Sequence, residues 1–193
     1  MNIKKVIEVP IVSRLTTLTG PSGVGKGTLI KNLVERHPSI WLSVSATTRL
    51  PRKGEINGKD YLFLTDEKFN NNIKAKKLLE WAKFSGNFYG TPKEPVVMQL
   101  GLGRPVLLEI ELEGARQIRD SLPTSFQIFI APPSFEELEL RIRSRKTESE
   151  ASINKRLSQA KVEIESRNEF DAVLINRSLD DTLHQLERLM GVS

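Results

Sequence analysis

Gly20-Pro21-Ser22-Gly23-Val24-Gly25-Lys26 is the stretch on which the reading of the fold turns. It satisfies the G-x-x-x-x-G-K pattern of a phosphate-binding loop. Its glycines carry no Cβ, so the backbone can turn tightly and aim successive N–H groups inward. The result is a ring of donors for phosphate oxygens at a helix N-terminus. Lys26 adds a mobile cation that can follow charge onto the β and γ phosphates of a nucleoside triphosphate. The flanking sequence agrees. Residues 15–19 read as a short buried strand, and a helix is expected over about 26–37, where Leu29, Ile30, Leu33 and Val34 share one face and Pro38 closes the segment. One position departs from the pattern. Where a Ser or Thr hydroxyl would meet magnesium the chain has Gly27, and Thr28 follows one residue later, turned by about 100° around the helix. ATP phosphates and water are expected to hold most of the magnesium shell, with Thr28 secondary.

Working outward, residues 41–45 form a second strand candidate. Residues 47–95 differ in character, being dense in Lys, Gly, Asn and aromatics, with short strands at 61–64 and 79–84 around a helix near 66–76. That composition reads as an inserted lobe. From Pro105 the alternation resumes, with a strand at 106–110, a helix over 115–120 and a strand at 126–130. Ser134 and Glu137 have the spacing of a capping box for a helix that carries Leu138, Ile142 and three arginines. A polar segment, 144–149, separates it from a long helix over about 150–167. A strand at 172–175 and a closing helix through Leu183, Leu186 and Leu189 end the chain. Alternating strands and helices predict an α/β fold, a parallel-sheet core of the P-loop NTPase type with helices on both faces. To this core are added the inserted mixed α/β lobe and a small lid. The expected division is a core of about 13–45 and 92–193, a lobe of about 46–91, a lid of about 144–156, and an N-terminal extension, 1–12.

Composition narrows the partners. A chain of 193 residues, 38% hydrophobic and 27% charged, suffices for one sizeable core. The net charge of +5 suits an anionic ligand, but no basic block or tail stands out, so no nucleic-acid partner is expected. No apolar run approaches the roughly 20 residues that span a bilayer, and Glu8 and Arg14 interrupt the stretch a signal peptide would need. With no cysteine, neither a disulfide frame nor a thiolate metal site can form. A cytoplasmic protein with no membrane contact and no obligatory protein partner is the expectation.

The acceptor must be read from the lobe. The stretch Ser43-Val44-Ser45-Ala46-Thr47-Thr48-Arg49-Leu50-Pro51-Arg52-Lys53-Gly54-Glu55-Ile56-Asn57-Gly58-Lys59-Asp60-Tyr61 resembles the GMP-binding segment of guanylate kinases. Its continuation, Glu80-Trp81-Ala82-Lys83-Phe84-Ser85-Gly86-Asn87-Phe88-Tyr89-Gly90-Thr91, resembles the second half of the same site. With the loop at 20–26, the lid and the Ala131-Pro132-Pro133-Ser134 turn, the resemblance covers nearly the whole chain from about Ser13 onward. It implies transfer of the γ-phosphoryl group of ATP to GMP, and to dGMP, with Mg2+ as cofactor, in purine nucleotide metabolism. It assigns acceptor contacts to Ser45, Arg49, Arg52, Tyr61, Glu80, Tyr89 and Thr91.

The residue chemistry points the same way. Arg49 and Arg52, separated by a rigid Leu50-Pro51 step, can offer two guanidinium forks to one dianionic phosphate, and Tyr61 and Tyr89 can add neutral donors. Guanine presents two N–H donors beside a carbonyl oxygen. A carboxylate such as Glu80 can accept from both donors while the hydroxyls of Ser45 and Thr91 donate to the oxygen. Adenine would leave the carboxylate unpaired, which discriminates by a factor of roughly 10² or more.

For the transfer step, charge on the moving phosphoryl group calls for converging cations. Arg141 and Arg145, at i and i+4, share a helix face, and Arg156 follows on the next helix; these three match the arginines that guanylate kinases close over the phosphates. Arg143 falls on another face and reads as structural or solvent-exposed. Glu109-Ile110-Glu111 puts two carboxylates at a strand's carboxyl edge, on the side opposite Ile110, where the family usually has Asp. Direct metal ligation, water-mediated contact and a structural role are all open for Glu109, as for Glu111, which is also a candidate contact to the guanine side. The family places an asparagine beside the adenine at the position of Asn176; a turn or capping role is the alternative. A binding module without catalysis would need neither Lys26 nor the arginines.

Overall fold

The computed structural model describes residues 15–84, 86–144 and 149–192. The expected N-terminal extension, 1–12, therefore lies outside the described residues, as does Arg145.

The core strands are β1 (Leu15–Thr19), β2 (Trp41–Leu42), β7 (Val106–Glu109), β8 (Phe126–Ala131) and β9 (Ala172–Ile175). They form a parallel five-stranded sheet in the order β2-β7-β1-β8-β9. A parallel sheet needs crossover helices and has both faces covered. Alternate side chains divide accordingly. Leu107, Ile128 and Ile130 pack with α1 (Lys26–Arg36), α5 (Phe135–Arg143), α6 (Glu150–Glu165) and α7 (Leu179–Met190) on one face. Val106, Leu108, Phe129 and Ala131 pack with α3 (Lys93–Gly101) and α4 (Leu112–Ser121) on the other. The period-2 alternation of the buried strands thus builds two apolar layers rather than one.

The inserted lobe carries its own four-stranded sheet. Its order is β4-β3-β6-β5, built from β3 (Ala46–Thr47), β4 (Leu62–Phe63), β5 (Leu78–Phe84) and β6 (Asn87–Pro92). The helix α2 (Asp66–Lys74) starts on Thr65, whose side chain accepts from the Lys68 N–H, and buries Phe69 against the sheet. The sequence reading is corrected at several boundaries. β2 stops at Leu42, with Ser43 N–H adding one more bond to Leu107 O at 3.0 Å. β3, β6 and α3 are additions to it. α3 carries Pro95 in its first turn, where the missing N–H costs nothing, and buries only Val96 and Gln99, so its periodic signal is weak. α4 starts at Leu112, which makes Glu111 its N-cap, and α6 gives way at Glu165 to a 3-10 turn, Ser166–Glu169. Ser134 accepts from the Glu137 N–H at 3.1 Å, the expected cap of α5. Among the described residues no helix is long and apolar enough to cross a membrane.

The 3-10 turn is tied to α4 by charge. Glu169 accepts from Arg116 Nη2 at 2.6 Å and Nε at 2.9 Å, with Arg119 Nη1 at 3.4 Å. The guanidinium of Arg116 holds the Glu169 carboxyl down to about 2. A carboxyl depressed by its folded-state partners stabilises the fold above its unfolded pKa and loses that contribution as it protonates. Glu169→Gln should therefore lower the urea midpoint near neutral pH, and the gap to wild type should close as pH falls from about 5 toward about 2. A gap that stayed constant with pH would show that the charge does not stabilise this tie.

Candidate active site

The loop of residues 20–26 lies between β1 and α1 as its motif requires. Gly25, the N-cap of α1, has φ 102°. A Cβ there would also stand 2.7 Å from Asn176 Nδ2, so both conformation and space exclude a larger residue. Lys26 is buried and donates to Gly20 O at 2.5 Å, closing the loop on itself. Asn176 Nδ2 donates to Val24 O at 2.8 Å, while its Oδ1 accepts from Thr182 Oγ1 at 3.2 Å. Both ends of the amide are thus engaged in bracing the loop against α7.

Arginines approach the same loop. Arg141 Nη1 donates to Val24 O at 3.3 Å and Nη2 to Asn176 O at 3.2 Å, and Arg141 is paired with Glu137 one turn earlier on α5. Arg156 Nη2 donates to Ser22 Oγ at 2.8 Å. Arg143 pairs instead with Glu139 and Glu150, which joins α5 to α6 and fits its expected structural role. Gly27 and Thr28 face solvent on the first turn of α1.

A cleft of about 430 Å³ opens between the two sheets, and Ser45, Tyr61, Glu80, Tyr89, Glu109 and Glu111 all line it. Arg49 stands beside it with its guanidinium over the Tyr61 ring at 5.3 Å. Its fork is filled by Glu55, with contacts of 2.8 and 2.9 Å, the bidentate geometry a phosphate would also accept. Arg52 is exposed, and its backbone N–H donates to the same Glu55 carboxylate at 2.6 Å. Thr91 is fully buried behind the cleft wall and donates to Glu80 Oε1 at 2.6 Å, so it supports the carboxylate.

Glu80 reaches the cleft through an irregularity in β5, whose register against β6 shifts between Leu78 and Glu80. Such a bulge re-aims a side chain, and Glu80 is buried while Trp81 is turned out. Burial pushes the Glu80 carboxyl up to about 7; the Thr91 hydroxyl opposes the rise and Glu111 adds to it. Glu109 is open to water at the cleft floor yet crowded by protein on its other sides. That crowding raises its pKa, Lys26 opposes it, and Glu111 again adds to it. The charge of Lys26 thus reaches Glu109 in the cleft, which links the loop to the cleft.

A family model described as guanylate kinase matches residues 12–192. The chain belongs to the guanylate kinase family. It is 60% identical over 180 residues to the guanylate kinase of Prochlorococcus marinus (strain MIT 9313), covering 93% of this chain and 95% of that one. It is 59% identical over 182 residues to that of Synechococcus sp. (strain CC9311), covering 94% and 96%. Among solved structures, guanylate kinase from Anaplasma phagocytophilum superposes with a TM-score of 0.77 at 32% identity, covering 93% of this chain and 85% of that one.

Within this member of the family, two site residues escaped the sequence reading. Glu55 carried a signal, since it lies three residues past Arg52 in the quoted segment. Glu163 carried none. It is buried on α6, its Oε1 accepts from Gln159 at 3.2 Å, and its Oε2 is without a partner among the described residues. Burial first and Glu111 second push it up to about 7, against Gln159 and Lys26.

Glu80 makes the fold pH-sensitive with a definite sign. A carboxyl whose folded pKa is raised binds more protons folded than unfolded, so stability falls as pH rises from about 4.5 to about 7. Glu80→Gln should remove its share of that fall, roughly 1 to 3 kcal/mol between those limits, in urea titrations without ligand. Identical pH slopes for variant and wild type would refute the burial of a charge at this position.

Proposed function

We propose that this chain transfers the γ-phosphoryl group of ATP to GMP, or to dGMP, giving ADP and the corresponding diphosphate. The observation that carries this reading is a buried carboxylate, Glu80, facing a cleft that adjoins a phosphate-binding loop, with Ser45 lining the same cleft. The family names of the relatives support it. A carboxylate there accepts from two adjacent N–H donors of a purine, which guanine has and adenine lacks.

The donor site is assigned to residues 20–28, with the loop N–H groups and Lys26 around the β and γ phosphates and Asn176 bracing the loop. The acceptor site is assigned to the four-stranded lobe. Glu80 and Ser45 read the base, Tyr61 and Tyr89 donate to the acceptor phosphate, and Arg49 and Arg52 neutralise it. Glu55 would share or yield the Arg49 fork when that phosphate arrives. Tyr61 stays a neutral donor, since burial raises its pKa further. Arg141 and Arg156, already on the loop, meet the charge that develops on the transferred group, and Arg145 is assigned to the same task. Chemistry of this kind rests on alignment and charge stabilisation, without a covalent enzyme intermediate.

Among the described residues no three acidic or histidine side chains converge to hold a metal. That donor set fits Mg2+, which keeps most of its water and binds phosphate oxygens alongside one or two carboxylates. Glu109 and Glu111 would face its waters, with Thr28 more remote. When bound, the ion would supply neutralising charge to the β and γ phosphates. A reducing, cytoplasmic setting suits a chain without cysteine.

The test is a coupled ADP-release assay with GMP, AMP, UMP and CMP as acceptors. GMP should be turned over at least about 10² times more efficiently than AMP. Turnover with AMP equal to that with GMP would overturn the guanine assignment. Lys26→Ala should abolish turnover with every acceptor. Arg141→Ala should lower kcat by about 10²-fold or more with little change in the KM for GMP; the reverse split would make Arg141 a binding residue.

A further inference from the structure

The back wall of the Glu80 carboxylate is a helix with a gap in its side chains. Gly114 is buried in the first turn of α4, and a Cβ built on it would lie 2.3 Å from Glu80 Oε2 and 2.9 Å from Glu80 Cδ. Neither distance is compatible with a real side chain. The three atoms nearest that Cβ all belong to Glu80, so the conflict falls first on the acidic group.

The backbone that carries the carboxylate is tied to the helix. Gln117, one turn beyond Gly114 on the same helix, accepts from Trp81 N–H at 3.1 Å and donates to Trp81 O at 2.7 Å. The β5 backbone next to Glu80 is thereby fastened to α4 and cannot retreat to make room. The other carboxylate oxygen is held by Thr91 at 2.6 Å. A side chain at position 114 would therefore have to move the Glu80 carboxylate itself. Glycine in a helix is otherwise disfavoured, so helix stability alone would select alanine here.

We propose that Gly114 is a specificity-determining residue of the acceptor site. Its missing side chain forms the socket in which the Glu80 carboxylate is held in register with the two N–H donors of guanine. Gln117 acts with it as a positioning residue that fixes β5 on the helix. This rests on the reading of Glu80 as the base-recognising group.

The experiment is a double-mutant cycle on Gly114→Ala and Glu80→Ala in the full chain. Its readouts are kcat and KM for GMP and AMP, KM for ATP, and the thermal midpoint. Gly114→Ala should fold, raise the KM for GMP by about tenfold or more, leave the KM for ATP within about twofold, and erode the preference for GMP over AMP. In the Glu80→Ala background the socket has no occupant, so adding Gly114→Ala should change GMP kinetics by less than about twofold and should not lower the thermal midpoint.

Each outcome decides something. If Glu80→Ala keeps the GMP preference, the base-recognition reading fails, and the proposal with it. If Glu80→Ala loses that preference while Gly114→Ala keeps it, only the socket is overturned. If Gly114→Ala fails to fold and Glu80→Ala restores folding, the clash lies on the carboxylate as proposed. Failure persisting in both backgrounds would place the clash elsewhere and overturn it.

Discussion

A loop that turns its N–H groups inward must turn its carbonyls outward, and much of this site follows from where those carbonyls find donors. Lys26 Nζ takes Gly20 O, Asn176 Nδ2 takes Val24 O, and Arg141 Nη1 shares Val24 O. Buried carbonyls cannot be left without donors, so the phosphate cradle draws in α5 and the segment after β9 as its scaffold. The same contacts place a guanidinium at the edge of the cradle. Structural satisfaction of the loop and cationic preparation of the site are one set of bonds.

Electrostatics divides the remaining surface by ligand part. Cations gather at the loop and at Arg49, where phosphates would lie. Carboxylates gather in and behind the cleft, where burial raises the pKa values of Glu80, Glu109 and Glu163 and the nearby Glu111 charge adds to each. Such a cluster is costly without a ligand, because each buried charge lacks the water it would have when unfolded. On the proposed reading, guanine N–H donors would answer part of that cost at Glu80, so that recognition and relief of strain would be the same event. Arg49 is spared an analogous cost by Glu55, an internal carboxylate in the position a phosphate would take.

Much of this was legible one residue at a time. The loop motif, the alternation of strands and helices, the cap at Ser134, and the clustering of Ser45, Tyr61, Glu80 and Tyr89 all belong to short segments with local rules. α3 was not legible, because Pro95 and its two buried positions leave almost no period to read. Thr91 carries a hydroxyl that could face a base, and only the pairing of β6 with β5 turns it toward Glu80. The brace that Asn176 forms between the loop and α7 joins residues far apart in the chain, and no local rule displays it.

From sequence alone came the glycine-rich loop, the parallel core and a lobe rich in arginine, tyrosine and hydroxyl side chains. Those features depend on backbone geometry and side-chain period over a few neighbours, and a few neighbours are what a sequence displays. Tertiary structure alone decided the position of the Glu80 carboxylate. That position depends on a register shift in β5, a hydroxyl from β6 and a missing Cβ on α4, three groups brought together only when the lobe packs on the core. The glycine at 114 looks, in sequence, like a weak point in a helix, and its meaning comes from a contact made across the fold.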